Sequence, residues 1–456
     1  MSGQLFERVL ADPQAEAAFS DAAITGAMLQ FEIALAAAQA ELGLVPASAA
    51  AAIARHAGTF AVDPVQLARD GAHAGSLAIA FVGALTAHLA RHDADAARHV
   101  HSGATSQDVL DTALVLCTRD ALALFDGALH RAIAAAGALA QTHAATPLLA
   151  RSFLQPAGVT TFGWKAAQWT LSLARCRARI AHAAGEALAV SLGGAIGNLA
   201  AQGQAGCALR RKLARALALA DSGATWHTHR DDWIGLATAA AIAAGTMGKI
   251  AHDIALMAQS EVGEVAERAV PGRGGSTAMP HKRNPVLTMR VIAAVHAIPG
   301  MTATLLAAMS QEHERALGTW QAELAQWPGI FVHAASAARA LAELLEGLEV
   351  DAARCRANID RLDGVVFAER LVELFAPAIG KTQARTRITD LCRRAIDEHR
   401  PLQQLAREAA SAGEPATTVA DAAIAAVFDV DAAARASADL VEALLQAAHD
   451  LEKTHD

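Results

Sequence analysis

Leu114, Thr118, Leu122, Phe125 and Leu129 recur at spacings of three and four, while Arg119, Asp120, Asp126 and Arg131 fall on other faces. That period predicts an amphipathic helix with a continuous apolar stripe. A second stripe runs through Met247, Ile250, Ile254 and Met257 at the same spacing. Proline is absent between Pro64 and Pro147 and between Pro156 and Pro271, and alanine and leucine, both strong helix formers, dominate those gaps. Tyrosine is absent and β-branched runs are few, so strands have little to build on. The pattern predicts an all-α protein whose long helices pack as a bundle, with alanine permitting close approach of neighbouring backbones.

Polar and glycine- or proline-rich breaks fall near 92–105, 142–163, 269–285 and 357–365. They suggest an N-terminal helical domain over 1–100, a central long-helix domain over 101–350, and a C-terminal helical domain over 351–456. No internal repeat is visible, and the alanine bias reads as compositional drift.

Composition narrows the function classes. The 456 residues include 38 basic and 46 acidic ones, a net charge of −8, and 53% are apolar. An acidic balance supplies no basic field for a polyanion, so nucleic acid is not expected as a partner. A small anionic substrate needs only a few local cations. Cys117, Cys176, Cys207, Cys355 and Cys392 form no CxxC pair and are odd in number, which predicts free thiols in a reducing compartment. Met1 to Arg8 lacks a basic run followed by an apolar one, so no secretory signal is expected. The apolar run from Leu236 to Gly248 stops at Lys249, short of the roughly 18 residues that a membrane span needs. These features suggest a cytoplasmic protein with no membrane partner.

The densest irregular stretch is Pro271-Gly272-Arg273-Gly274-Gly275-Ser276-Thr277-Ala278-Met279-Pro280-His281-Lys282-Arg283-Asn284-Pro285. Breakers surrounding a serine, a lysine and an asparagine suit a mobile loop with reactive groups better than a simple turn. Asn284-Pro285 reads as an N-cap followed by proline at the first helical position, so a helix is expected to begin there with its positive end facing the loop. Thr105-Ser106-Gln107-Asp108 has the shape of a capping box and is expected to open the helix that carries Leu114. Free N–H groups at such a start can also hold a carboxylate.

The run Gly274 to Pro285 resembles the signature loop of the fumarase/aspartase superfamily, a Gly-Ser-x-x-Met-Pro-x-Lys-x-Asn pattern. His101 to Asp108 resembles that superfamily's first signature region, and Ala150 to Ala157 its second. Leu5 to Pro46 and Gln311 to Glu323 look like one branch, the bacterial 3-carboxy-cis,cis-muconate cycloisomerases. The resemblance implies a mostly helical three-domain subunit, a homotetramer built on a central bundle, and sites assembled from three subunits. It implies no cofactor and no metal. It also implies β-elimination or its reverse through a carbanion beside a carboxylate, with Ser276 as the acid or base. Lys282 and Asn284 would grip the charge-bearing carboxylate, Thr105, Ser106 and Gln155 would hold another, and His101 and Arg315 would be further contacts.

Several branches carry histidine where this chain has Phe153. Phenylalanine cannot protonate a leaving group, which speaks against expelling an amine or hydroxide. A cycloisomerase, whose leaving group in the elimination direction is a tethered carboxylate, fits better. The alternatives are an adenylosuccinate lyase and a non-catalytic, crystallin-like relative that keeps the bundle only. His227-Thr228-His229 before Asp231-Asp232 has metal-ligand residue types but completes no zinc pattern and reads as a polar helix entry. No HExxH, Walker loop or dinucleotide fingerprint is present.

Overall fold

The computed structural model describes residues 5–411 and 419–453. Helices dominate, as the periodicity predicts. The ones that position the site are α1 (Asp21–Glu41), α2 (Ser106–Thr142), α3 (Phe162–Ala187), α4 (Asp231–Met257), α5 (Val286–Ala307) and α6 (Thr319–Glu346). Both predicted stripes are buried: Leu114, Leu122, Phe125 and Leu129 on α2, and Met247, Ile250, Ile254 and Met257 on α4. Helices α5 and α6 continue through Pro299 and Pro328, so proline spacing underestimates helix length here.

The chain divides into two compact units, and the boundaries fall inside the long helices. The first comprises 1–129, 176–248 and 290–339; the second comprises 130–175, 249–289 and 340–456. In the first, Met28, Phe31 and Leu35 of α1 pack with Phe81, Leu85, Leu89, Leu209 and Leu213 and with Val109 and Leu116 of α2. Each such side chain contributes about 1.5–3 kcal/mol on burial. Trp233 stacks on Trp327 with ring centres 3.7 Å apart, and Trp327 Nε1 donates to Thr118 Oγ1 at 2.8 Å. In the second unit, Phe367, Leu371, Phe375, Ile388, Leu402 and Leu405 close a separate core.

The break at 142–163 is not all loop. It contains an antiparallel hairpin of β1 (Pro147–Ser152) and β2 (Gln155–Thr161), whose register pairs Ser152 with Gln155. Val159, Thr160 and Thr161 supply the β-branched residues that the wider composition lacks. Phe153 and Leu154 form the two-residue turn at φ 52° and 63°, the left-handed pattern that a tight hairpin requires and that Asn-Gly usually fills. Both are exposed. A second short ladder pairs β3 (Val265–Glu267) with β4 (Leu348–Val350).

Four helical stretches, Pro13–Glu41, α2, α4 and α5, have the length and mean hydropathy of a membrane span, more than the Leu236–Gly248 run suggests. Of these, α2 carries the buried Asp108 and Asp111. All five cysteines are free thiols, and burial pushes Cys117 and Cys355 up to about 12.

Candidate active site

In the first unit the predicted capping box exists in half. The Thr105 N–H donates to Asp108 Oδ2 at 2.9 Å, and α2 starts at Ser106. The Thr105 hydroxyl is used otherwise: Arg315 donates to Thr105 Oγ1 and, at 3.0 Å, to Ser106 Oγ. A guanidinium is thereby placed beside a helix start, where anions are favoured. Asp108 is fully buried and accepts three further bonds, from the Gly193 N–H (2.8 Å), the Gly194 N–H (3.0 Å) and His227 Nε2 (2.7 Å). One carboxylate thus fastens the start of α2 to two other chain segments.

The turn before α2 is held as firmly. His101 sits at φ 56°, a conformation that non-glycine residues adopt rarely. Its N–H donates to Glu32 Oε2 at 3.0 Å, and its Nδ1 lies 2.6 Å from Glu32 Oε1. Gln39 Nε2 donates to the Ser102 carbonyl and Gln202 Nε2 to the Gly103 carbonyl, both at 2.7 Å. Gly103, at φ 71°, is needed here, because a Cβ would stand 2.2 Å from Gln202 Nε2. Burial lowers the His101 pKa, but the hydrogen bond and charge of Glu32, with the charge of Asp108, more than offset this, so the net shift is upward.

Beneath this turn lies a buried ionic group. Arg230 donates to Asp111 at 2.8 and 3.2 Å and to both oxygens of Glu323, and it stacks on Trp226 at 4.5 Å. Trp320 Nε1 also donates to Asp111, at 3.0 Å. Burial pushes Glu323 up, against the pull of Arg230. His227, which the sequence groups with possible metal ligands, belongs instead to the Asp108 pair.

In the second unit the loop 271–285 makes few internal bonds. The Asn284 N–H donates to the Gly274 carbonyl at 2.9 Å, closing the loop at its base, and Arg273 pairs with Glu343. The Met279 N–H donates to Ser276 Oγ at 3.1 Å, and the Lys282 N–H to the Met279 carbonyl at 3.0 Å. Ser276 is half-buried and Lys282 exposed, and the Lys282 ammonium has no anionic partner among the described residues. Asn284 is half-buried.

One expectation about this loop is overturned. Helix α5 begins at Val286, but its positive end does not face an empty loop: Glu267 accepts from the Leu287 N–H (3.1 Å) and from the N–H (2.8 Å) and hydroxyl (2.7 Å) of Thr288. An internal carboxylate already occupies the place an external anion would take. Gln155 is exposed at the start of β2. Behind it, Arg151 forms a forked pair with the fully buried Glu264 at 2.9 and 2.7 Å, and Asn358 also donates to Glu264.

The predicted residues therefore fall into two sets. Thr105, Ser106 and Arg315 meet directly in the first unit with His101 close by in sequence, whereas Ser276, Lys282, Asn284 and Gln155 belong to the second. Cavity size does not find either set. A cavity of about 820 Å³ in the second unit is lined by Ile133, Gln141, Thr170, Leu445 and His449, none of them a predicted site residue. Sequence reasoning missed Glu32, Glu264 and Glu267, and it read His227 as part of a polar helix entry without its Asp108 partner. The Thr-x-x-Asp spacing exposes Asp108, but nothing local marks Glu32, which lies 69 positions from its partner.

Comparison with known proteins identifies the family. A family profile described as "Lyase" matches residues 8–300. A 3-carboxy-cis,cis-muconate cycloisomerase of Bradyrhizobium diazoefficiens is 42% identical over 442 residues, covering 97% of each chain. A nitrosuccinate lyase of Streptomyces davaonensis is 43% identical, covering 88% of this chain and 86% of the relative. The crystal structure of the 3-carboxy-cis,cis-muconate lactonizing enzyme from Pseudomonas putida superposes with a TM-score of 0.90 at 37% identity, over 99% of this chain and 100% of that one. With the signature loop, the half-capped start of α2 and the helical body all in place, the chain belongs to the fumarase/aspartase superfamily of lyases.

Proposed function

We propose that this protein is a cycloisomerase that converts 3-carboxy-cis,cis-muconate to a carboxymuconolactone in aromatic catabolism, and that it acts in the cytoplasm. One carboxylate of the substrate adds to the diene, forming the ring C–O bond, while a proton passes to the neighbouring carbon. Tethering of the nucleophile supplies much of the orientation. Negative charge gathers on a second carboxylate during the addition, and aimed donors and cations at that point lower the barrier.

The observation that carries the reading is the freedom of the loop's chemistry: among the described residues Ser276 is bonded only through the Met279 N–H, and Lys282 reaches solvent with no anionic partner. In this reading Ser276 delivers the proton, Lys282 and Asn284 hold the charge-bearing carboxylate, and Thr105, Ser106 and Gln155 hold another, with Arg315 and His101 beside them. A tricarboxylate needs that many anchors. Phe153 at the fully exposed hairpin tip offers no acid, and a carboxylate needs none to leave. The subunit would comprise the domains 1–100, 101–350 and 351–456, whose junctions fall outside the helices, after Ala97 and before Ala352. Four subunits would share their sites, which fits the outward exposure of Gln155.

A lyase acting on nitrosuccinate is the second reading, favoured by the 43% identical relative. Nitrite is also a weak base and leaves without an acid, so Phe153 does not separate the two. Ultraviolet monitoring of the purified protein with 3-carboxymuconate, nitrosuccinate, adenylosuccinate and argininosuccinate decides. Consumption of 3-carboxymuconate far ahead of the others is expected, and turnover of nitrosuccinate alone would replace the first reading with the second.

A further inference from the structure

The half-site of the first unit contains one cation bonded to the Thr105 and Ser106 hydroxyls, Arg315, and a histidine whose surroundings are unusual. Glu32 lies in α1 and is 2% exposed, and both its oxygens are spent on His101. The His101 ring is 16% exposed, and its Nε2 makes no hydrogen bond among the described residues.

With the Glu32 carboxylate 2.6 Å away, Nδ1 must carry a proton to donate. The state of Nε2 then decides what the half-site presents. A neutral ring would offer a lone pair that repels a carboxylate, whereas a charged ring offers a second N–H on the same turn whose Thr105 and Ser106 hydroxyls carry Arg315. The charged and titratable groups facing this ring are Glu32 from α1 and Asp108 from α2, the latter paired with His227, and Arg315 stands on the adjoining hydroxyls.

We propose that Glu32 is a positioning residue that keeps His101 as an imidazolium, so that Nε2–H and the Arg315 guanidinium together grip one carboxylate of a polycarboxylate substrate. This rests on the reading above that the start of α2 holds a substrate carboxylate. It adds a buried residue from the N-terminal part of the chain and a pH dependence of binding. Burial pulls the ring pKa down, Glu32 and then Asp108 pull it up, and the upward pull wins. The grip is therefore complete below the raised pKa and is lost as the pH rises through it.

Calorimetric titration with propane-1,2,3-tricarboxylate as the probe, across pH, tests this in the full-length protein and in Glu32→Gln and His101→Gln. In the wild type the Kd should climb with pH above the His101 pKa by up to about tenfold per unit, the limit for one proton. Glu32→Gln keeps an acceptor for the His101 N–H, so the turn survives. It should bind about tenfold more weakly just below the wild-type transition, the worth of a lost charged hydrogen bond, with the climb displaced to lower pH. His101→Gln should abolish the climb. With substrate, Glu32→Gln should raise KM much more than it lowers kcat.

A wild-type pH profile in Glu32→Gln overturns the inference, as does a persisting climb in His101→Gln or a wild type that does not bind the probe. If Glu32→Gln fails to fold, His101→Gln alone decides. Binding profiles as expected without turnover of 3-carboxymuconate would overturn the proposed reaction and leave this inference standing.

Discussion

The turn 101–106 and the loop 271–285 carry comparable chemistry on opposite physical terms. In the first, the buried side chains of Glu32, Gln39 and Gln202, from distant parts of the sequence, and of nearby Asp108 hold the His101 N–H, the Ser102 and Gly103 carbonyls and the Thr105 N–H. In the second, the base is closed by the Gly274–Asn284 bond and the Arg273–Glu343 pair, while Ser276 to Arg283 stay largely exposed. One region is fixed in advance by its own hydrogen bonds. The other leaves the Lys282 ammonium without an anionic partner among the described residues and ties the Ser276 hydroxyl only to the nearby Met279 N–H, which is the freedom the proposed reaction would draw on.

The sharpest way to break this contrast is Ser276→Ala. Loss of a general acid should lower kcat by about 10²–10⁴ while leaving the unfolding free energy within about 0.5 kcal/mol. Steady-state turnover and a denaturant curve on the same preparation check both halves. Near wild-type turnover would remove Ser276 from the reaction, and Lys282→Ala is expected to behave in the same way.

Asp108→Ala should reverse the pattern. It strips partners from two glycine N–H groups, the Thr105 N–H and the buried His227, so a loss of about 3–5 kcal/mol in denaturant stability is expected. If stability stayed unchanged, the first region would not be the rigid one.

Gly274→Ala probes the loop's base. At φ 74° a Cβ would stand 2.6 Å from the Asn284 carbonyl oxygen, so the closing bond must open at a local cost of about 1–3 kcal/mol. Faster proteolytic nicking between 271 and 285 with unchanged global unfolding is the expected result; unchanged nicking would mean that this bond does not define the loop.

The smallest effect belongs to the hairpin tip. Replacing Phe153-Leu154 by Asn-Gly suits both positive φ values and removes no internal packing, so a gain of up to about 1 kcal/mol is expected in denaturant titrations. A loss would mean that the tip packs against another molecule.

Much of the site was legible because its signals are local. The Gly274 to Pro285 run, the Thr105-x-x-Asp108 spacing and the two apolar stripes each sit within a single window of sequence. The hairpin at 147–161 was not legible, because its β-branched residues are too few to stand out against a helical background and its turn uses Phe-Leu instead of Asn-Gly. The capping of α5 was misread for a different reason. Asn284-Pro285 has the local form of a helix start open to a ligand, but Glu267, brought in by β3, takes the free N–H groups.

The sequence by itself determined the helical class and marked the loop 271–285 and the turn 101–108 as candidates, since helix periodicity and turn chemistry are properties of neighbours in the chain. Only the tertiary structure decided which carboxylates are already spent. Whether a buried Asp108 or Glu264, or the half-buried Glu267, is a free group or an internal tether depends on partners tens to more than a hundred residues away, and burial makes such pairing compulsory for the first two without saying in advance which partner will provide it.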